Sequence, residues 1–290
     1  MLHSVQPWEP WDATEEEIAD LYIIREPIPE SLRGPVEEWL RQTFYVASRY
    51  GEVNAAMVHF IETSLRTPFD LGDPVGPQDL VSAVTDIDDK FTLRVVDLLL
   101  STFVPETQYR TMPAPVALLN SHMERSGSAV QIVREEQHYR LARRMPEGIE
   151  EAAQTAIRDA NQIAGQHLAN AWREMQSMDP DASKVLREGI QAVEAAAGRE
   201  VIPKDKKPQL SKIVGALRQQ QGWRLAFARR DDDHPDHLAV LIGMLETLAF
   251  AEQHRHSGHG YSLAEATGHV QLAATLVGWF SAGVVTRDES

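Results

Sequence analysis

The chain contains no cysteine. Disulfides, thiolate nucleophiles and cysteine-ligated zinc are thereby excluded. Long apolar runs are missing as well: no stretch approaches the roughly 18 residues that a membrane-spanning helix requires. The opening segment MLHSVQPWEPWDATEEE lacks a basic start followed by an apolar block, so it does not read as a signal peptide. The expectation is a soluble, cytoplasmic protein without membrane contact. There is no phosphate-binding glycine loop, no G-x-S-x-G elbow and no dinucleotide fingerprint. Nucleotide hydrolysis, serine hydrolysis and redox chemistry therefore have no support, and no cofactor is expected.

Basic charge is scarce. Lys and Arg number 28 against 43 Asp and Glu, leaving a net charge of -15. The deficit is uneven. Residues 1–125 hold 9 basic and 21 acidic side chains, and residues 126–290 hold 19 and 22. The first part should repel a phosphate backbone and suits a protein partner. The second has local basic clusters: Arg140, Arg143 and Arg144; Lys204, Lys206 and Lys207; Arg224, Arg229 and Arg230. Such clusters can meet RNA, or they are solvated surface.

What is present is helical periodicity. The length, 290 residues, fits two domains, and 43% hydrophobic residues can supply ordinary cores. Residues 1–30 read as an acidic, irregular arm whose Trp8 and Trp11 dock on the body. Val36, Trp39, Leu40 and Phe44 then recur at helical spacing, as do residues in 53–65 and 88–103. The proline-rich stretch 104–115 marks the best internal boundary. The expected domains are thus 1–125, an acidic N-terminal helical region, and 126–290. The second opens with a β-hairpin over 128–145, where Val130, Ile132, Tyr139 and Leu141 alternate.

From Pro146 an alanine-rich apolar stripe runs without a phase change to Met175, which predicts one helix of about 27 residues. Asp179-Pro180 starts the next helix. A shorter one follows over QLSKIVGALRQQQ, another begins near Pro235, and Ser262 with Glu265 forms a capping box for the last. The fold class is mainly α: a small hairpin and a C-terminal bundle of about five helices behind an N-terminal helical region. Trp172, Trp223 and Trp279 could stack bases, but Trp172 and Trp279 follow their helix stripes and fit core positions.

The densest chemistry is EQHRHSGHGY, 252–261. Three readings are open. His254, His256 and His259 have the H-x-H-x-x-H spacing of a metal site. The aspartate that metallo-β-lactamase-like hydrolases carry before the last histidine is replaced by Gly258, and no metal is assigned. Alternatively, imidazoles that titrate near neutrality exchange protons while Arg255 neutralises a phosphate. Or the stretch is a turn: Gly258 and Gly260 bend the chain and the histidines bond helix-end carbonyls. Glu194, on an apolar helix, could support such a site or pair with a helix-end donor.

The residues HYRLARRMPEGIEEAA, HLANAWREM, DPDASKVLREGIQAVEAAAGREVIPK and ETLAFAEQHRHSGHGYSLAEATGHVQLAATLVGWFSAG, spanning about 128–283, resemble a family of actinobacterial and prophage proteins. They also resemble the C-terminal domain of abortive-infection proteins, which is similar to the HEPN superfamily. That resemblance implies a small helical bundle, a homodimer with two turns facing each other, and a metal-independent RNase with an arginine, a polar residue and a later histidine. Carried over, those are Arg255, His256 and His259. Outside the resemblance, Lys204, Lys206 and Lys207 could guide RNA or form a solvated loop, and Glu194 could orient a histidine or arginine of the site. Three residues separate Arg255 from His259, one fewer than the family's usual minimum. Many HEPN-like domains are catalytically silent binding modules, so a prophage or bacterial scaffold is the alternative the resemblance leaves open.

Overall fold

The computed structural model describes residues 8–46, 51–72, 74–105, 112–135, 137–227, 236–256 and 260–287, with the side chains of 46 and 252–256 excepted. These residues form twelve helices and two antiparallel strand pairs. The architecture is mainly α with a small hairpin, as the periodicity predicts. None of the described helices is long and apolar enough to cross a membrane. The chain divides into two compact units, Met1–Arg144 and Met145–Ser290.

The first unit holds α1 (Glu15–Leu21), α2 (Glu30–Val46), α3 (Ala55–Leu65), α4 (Pro77–Thr85), α5 (Asp89–Leu100), α6 (Ala114–Arg125), β1 (Val130–Arg134) and β2 (Tyr139–Arg143). Its core gathers Leu32, Leu40 and Phe44 from α2 with Leu80, Leu99, Leu119 and Met123. The hairpin forms where the alternation predicts it, pairing Ile132 with Leu141 and Arg134 with Tyr139. It belongs to this unit, however, and the division falls at 144/145 instead of 125/126. Val130, Ile132, Tyr139 and Leu141 are buried in the N-terminal core. Two helix side chains take hairpin amides: Leu141 donates to Asp97 at 2.7 Å and Ile132 to Asn120 at 3.0 Å. A lone hairpin is marginal in water, and the neighbours that bury this one are α5 and α6.

The arm also differs from expectation. Trp8 and Trp11 are 79% and 94% exposed instead of docked. Between them and the body lies α1, started by a Thr14–Glu17 capping box and burying no residue. The chain is held further on, where Arg25 N donates to Gly127 O at 2.7 Å. Gly127 has φ +66°, and a Cβ there would lie 2.7 Å from the Ile23 carbonyl oxygen, so both conformation and space call for glycine.

The second unit holds α7 (Glu147–Asp159), α8 (Gln162–Gln176), α9 (Ala182–Val201), α10 (Leu210–Gln219), β3 (Trp223–Leu225), α11 (His237–His256), α12 (Leu263–Ser281) and β4 (Val285–Arg287). The expected 27-residue helix is two. Asn161 breaks it: its side chain accepts from Ala164 N, which starts α8, and donates to Ala195 O of α9 at 3.2 Å. Gly165 then lets the two helices meet closely, because a Cβ there would lie 2.8 Å from Ile157 O. Across the corner, Trp172 Nε1 and Gln176 Nε2 both donate to Glu150 Oε2, at 2.9 and 2.6 Å.

Helix α9 is central and packs against α8, α10, α11 and α12. Ala192, Val193, Ala196 and Ala197 are buried along it. The small strands β3 and β4 pair Trp223 with Arg287 and Leu225 with Val285. Trp172 is buried in the core as its stripe requires, while Trp223 is half-buried, donates to Gln220 Oε1 at 3.0 Å and lies under the Arg287 guanidinium.

Candidate functional site

Helix α11 is apolar on its inner face, with Leu241, Leu245, Leu248 and Ala251 buried. It does not stop before the histidines: its backbone stays helical through His256. Arg255 and His256 therefore lie in the last turn of α11, and not in the connection. Their side chains, and the whole of His259, fall outside the described residues. Among the described residues no cluster of three or more His, Asp or Glu could hold a metal ion.

The frame around that stretch is well defined. Helix α12 begins at Ser262, whose backbone amide donates to Glu265 Oε2 at 2.8 Å, while Glu265 N donates to Ser262 Oγ at 3.2 Å. This is the capping box read from the sequence. The Tyr261 hydroxyl donates to the Ala251 carbonyl of α11. Its ring meets His269 edge-on, with centroids 6.2 Å apart. His269 is one residue that sequence reasoning missed. Its Nδ1 is buried and has no hydrogen-bond partner among the described residues. Burial pulls its pKa below the ordinary histidine value, against an opposing pull from Glu265. Its only sequence signal is a histidine on a helix whose neighbours are apolar.

The lysines lie in the loop between α9 and α10. Lys204, Lys206 and Lys207 are exposed. The loop is organised by Asp205, which accepts from Lys212 Nζ at 2.8 Å and from Lys207 N at 2.9 Å. Those two donors hold its carboxyl below the usual aspartate range. Glu194 closes the loop's far end: its Oε1 accepts from Leu210 N, the first residue of α10, at 2.9 Å. That is a helix-end pairing, the second of the two roles the sequence allows for it.

Helices α10 and α11 pack against each other. Beyond the end of α10, the Phe227 ring meets His237 at the start of α11, with centroids 6.0 Å apart. Arg218, late in α10, pairs with Glu246 in mid-α11 at 2.7 Å. The lysine loop follows Val201, the last residue of α9, and Pro208 at its end packs on Gly198. The end of α11 lies elsewhere: Tyr261 ties Ala251 to the start of α12, where Thr267 meets Met175 in the last turn of α8, before α9 begins.

No protein-family model, curated protein or solved structure matches this chain.

Proposed function

We propose that the chain is an abortive-infection or phage-defence type protein whose C-terminal HEPN-like bundle cuts RNA without a metal. One observation favours the reading: α11 stays helical through His256, so Arg255 and His256 stand together in its last turn. In this reading Lys204, Lys206 and Lys207 draw in the phosphate backbone. His259 takes the proton of the 2′-hydroxyl as its oxygen attacks phosphorus. The bond from phosphorus to the 5′-oxygen breaks, and His256 protonates that oxygen. Arg255 neutralises the charge that builds on the phosphate. A homodimer would bring two such turns together.

The test is cleavage of total cellular RNA by purified protein in excess chelator, wild type beside Arg255→Ala and His259→Ala. Cleavage by wild type that is lost in both variants is expected. Wild type without cleavage, together with no toxicity on expression, overturns the reading.

The second reading is a catalytically silent binding protein. Exposed Trp8 and Trp11 on an arm with Glu9, Asp12, Glu15, Glu16 and Glu17 favour it, because bare aromatics ringed by acid suit a protein partner with a basic rim. It predicts that Trp8→Ala/Trp11→Ala abolishes the cellular effect while Arg255→Ala leaves it intact.

A further inference from the structure

The corner between α7 and α8 carries a groove on the outside of the bundle. It is lined by Arg158 of α7 and by Gln162, Gln166, Asn170 and Arg173, which share one face of α8 at spacings of three or four. No carboxylate is among its lining residues, although the whole chain has 43 acidic against 28 basic side chains. Asp159, the neighbour of Arg158, lines a different groove with α12. Arg158 and Arg173 are exposed. Arg158 spends one nitrogen on Thr155 Oγ1 at 3.0 Å and has no ion pair among the described residues. Gln162 and Gln166 are exposed as well. The strip from Gln162 to Arg173 takes in twelve residues of helix, a rise of about 16 Å.

Beside it stands a histidine set in place by a carboxylate. His167 Nδ1 lies 2.8 Å from Glu188 Oε2 of α9, and Asn170 of the groove lies 3.5 Å from the same oxygen. Arg187 Nε is 3.9 Å from the other Glu188 oxygen. The Glu188 side chain is 14% exposed and His167 30%. With Nδ1 turned to Glu188, Nε2 is the nitrogen left for a ligand. Glu188 is therefore already engaged by three partners, and Glu174, next to Arg173, pairs with Lys184 at 2.6 Å.

We infer that this α7–α8 strip binds a single-stranded phosphodiester. Arg158 and Arg173 take phosphates at its two ends, and Gln162, Gln166 and Asn170 offer hydrogen bonds between them. Planar guanidinium groups match phosphate oxygens in pairs. Neutral amides that can both donate and accept suit sugar hydroxyls and base edges without repelling a strand. No aromatic ring lines the groove, so the contact reads the backbone and does not stack bases. The site does not depend on chemistry at Arg255 and His259.

The test uses full-length protein with two short oligonucleotides of one sequence, RNA and DNA, titrated at several salt concentrations. Each phosphate contact on a single strand contributes about 0.7 to the slope of log affinity against log salt. Arg158→Gln/Arg173→Gln should lower that slope by about 1.4, with an unchanged melting profile because both side chains are exposed. Tighter binding of RNA than DNA assigns the amides to 2′-hydroxyls. Equal binding assigns the strip to phosphate alone, and either result supports the proposal. Wild type that binds neither strand, or a double variant with the wild-type slope, overturns it. Because the readout is binding, absence of RNA cleavage by wild type would sink the ribonuclease reading and leave this one standing.

Discussion

Glu194 Oε1 accepts a 2.9 Å hydrogen bond from the backbone amide of Leu210. The contact joins the middle of α9 to the first turn of α10, and so fixes one end of the lysine loop. Its character is that of a helix cap delivered from a distant residue. Glu194→Ala should therefore lower stability by about 1 kcal/mol, the usual cost of losing an N-terminal acceptor. Glu194→Gln keeps an acceptor oxygen and should lose less. Thermal melting checks both. A fall in RNA cleavage in Glu194→Gln with unchanged melting would return this residue to the active site.

Two glycines should respond to alanine in opposite directions. Gly198 lies on α9 against Pro208, and a Cβ there would stand 2.4 Å from the Pro208 Cβ and 2.7 Å from its Cγ. A proline ring cannot swing aside as the end of a flexible chain can. Gly198→Ala should destabilise by about 1–3 kcal/mol through overpacking. Gly243 sits exposed within α11 with nothing within 4 Å of a would-be Cβ. Gly243→Ala should stabilise by about 0.5–1 kcal/mol, since alanine is the better helix former. Denaturant midpoints of the two variants decide the matter.

His269 gives the chain a dependence on acid. Burial lowers its pKa in the folded state below the ordinary value of 6.5. Near that value the unfolded chain then binds more protons than the folded one, so folding is favoured as pH rises through the window. Well above 6.5 both states are neutral and the proton-linked cost is absent. As pH falls below 6.5 stability is lost, until the folded pKa is passed. His269→Leu should flatten the loss of stability as pH falls below 6.5. Denaturation series for both proteins across that range check it, and a variant as acid-sensitive as wild type would assign the effect elsewhere.

Much of the fold could be read from periodicity, and the failures have identifiable causes. The stripe from Ile149 to Met175 keeps its phase across residue 160, so nothing in its spacing reveals the corner. Only Asn161, a capping residue inside a helical pattern, marks it. Helices α4 and α6 hide behind prolines. Pro77 opens α4, and Pro113 stands at the cap of α6 with Pro115 in its first turn. Read as breakers, these prolines suggest loops, although proline is also a favoured first helical residue. Strands β3 and β4 are three residues each, too short to show alternation. The tryptophans of the arm show that aromatic character alone does not imply burial.

The candidate site divides in the same way. Arg255, His256 and His259 stand out because their residue types crowd together in the sequence. His269 and the His167–Glu188 pair arise from helices that meet in space. The pair is 21 positions apart in the chain, and no local spacing could announce it.

Arg287 Nε donates to Gln221 O at 3.1 Å across 66 positions, and β4 lies along β3 beside it. Everything from α11 through the histidine-bearing connection to α12 is thus an excursion whose two ends are buttoned together. Closing so long a loop costs entropy before it returns contacts, so the button should fasten late in folding. Once fastened, it ties the two arms of the excursion at their base, and in hydrogen-exchange measurements they should open as one cooperative segment. A variant that cannot pair these strands should therefore loosen the far end, where Arg255 lies, without touching it.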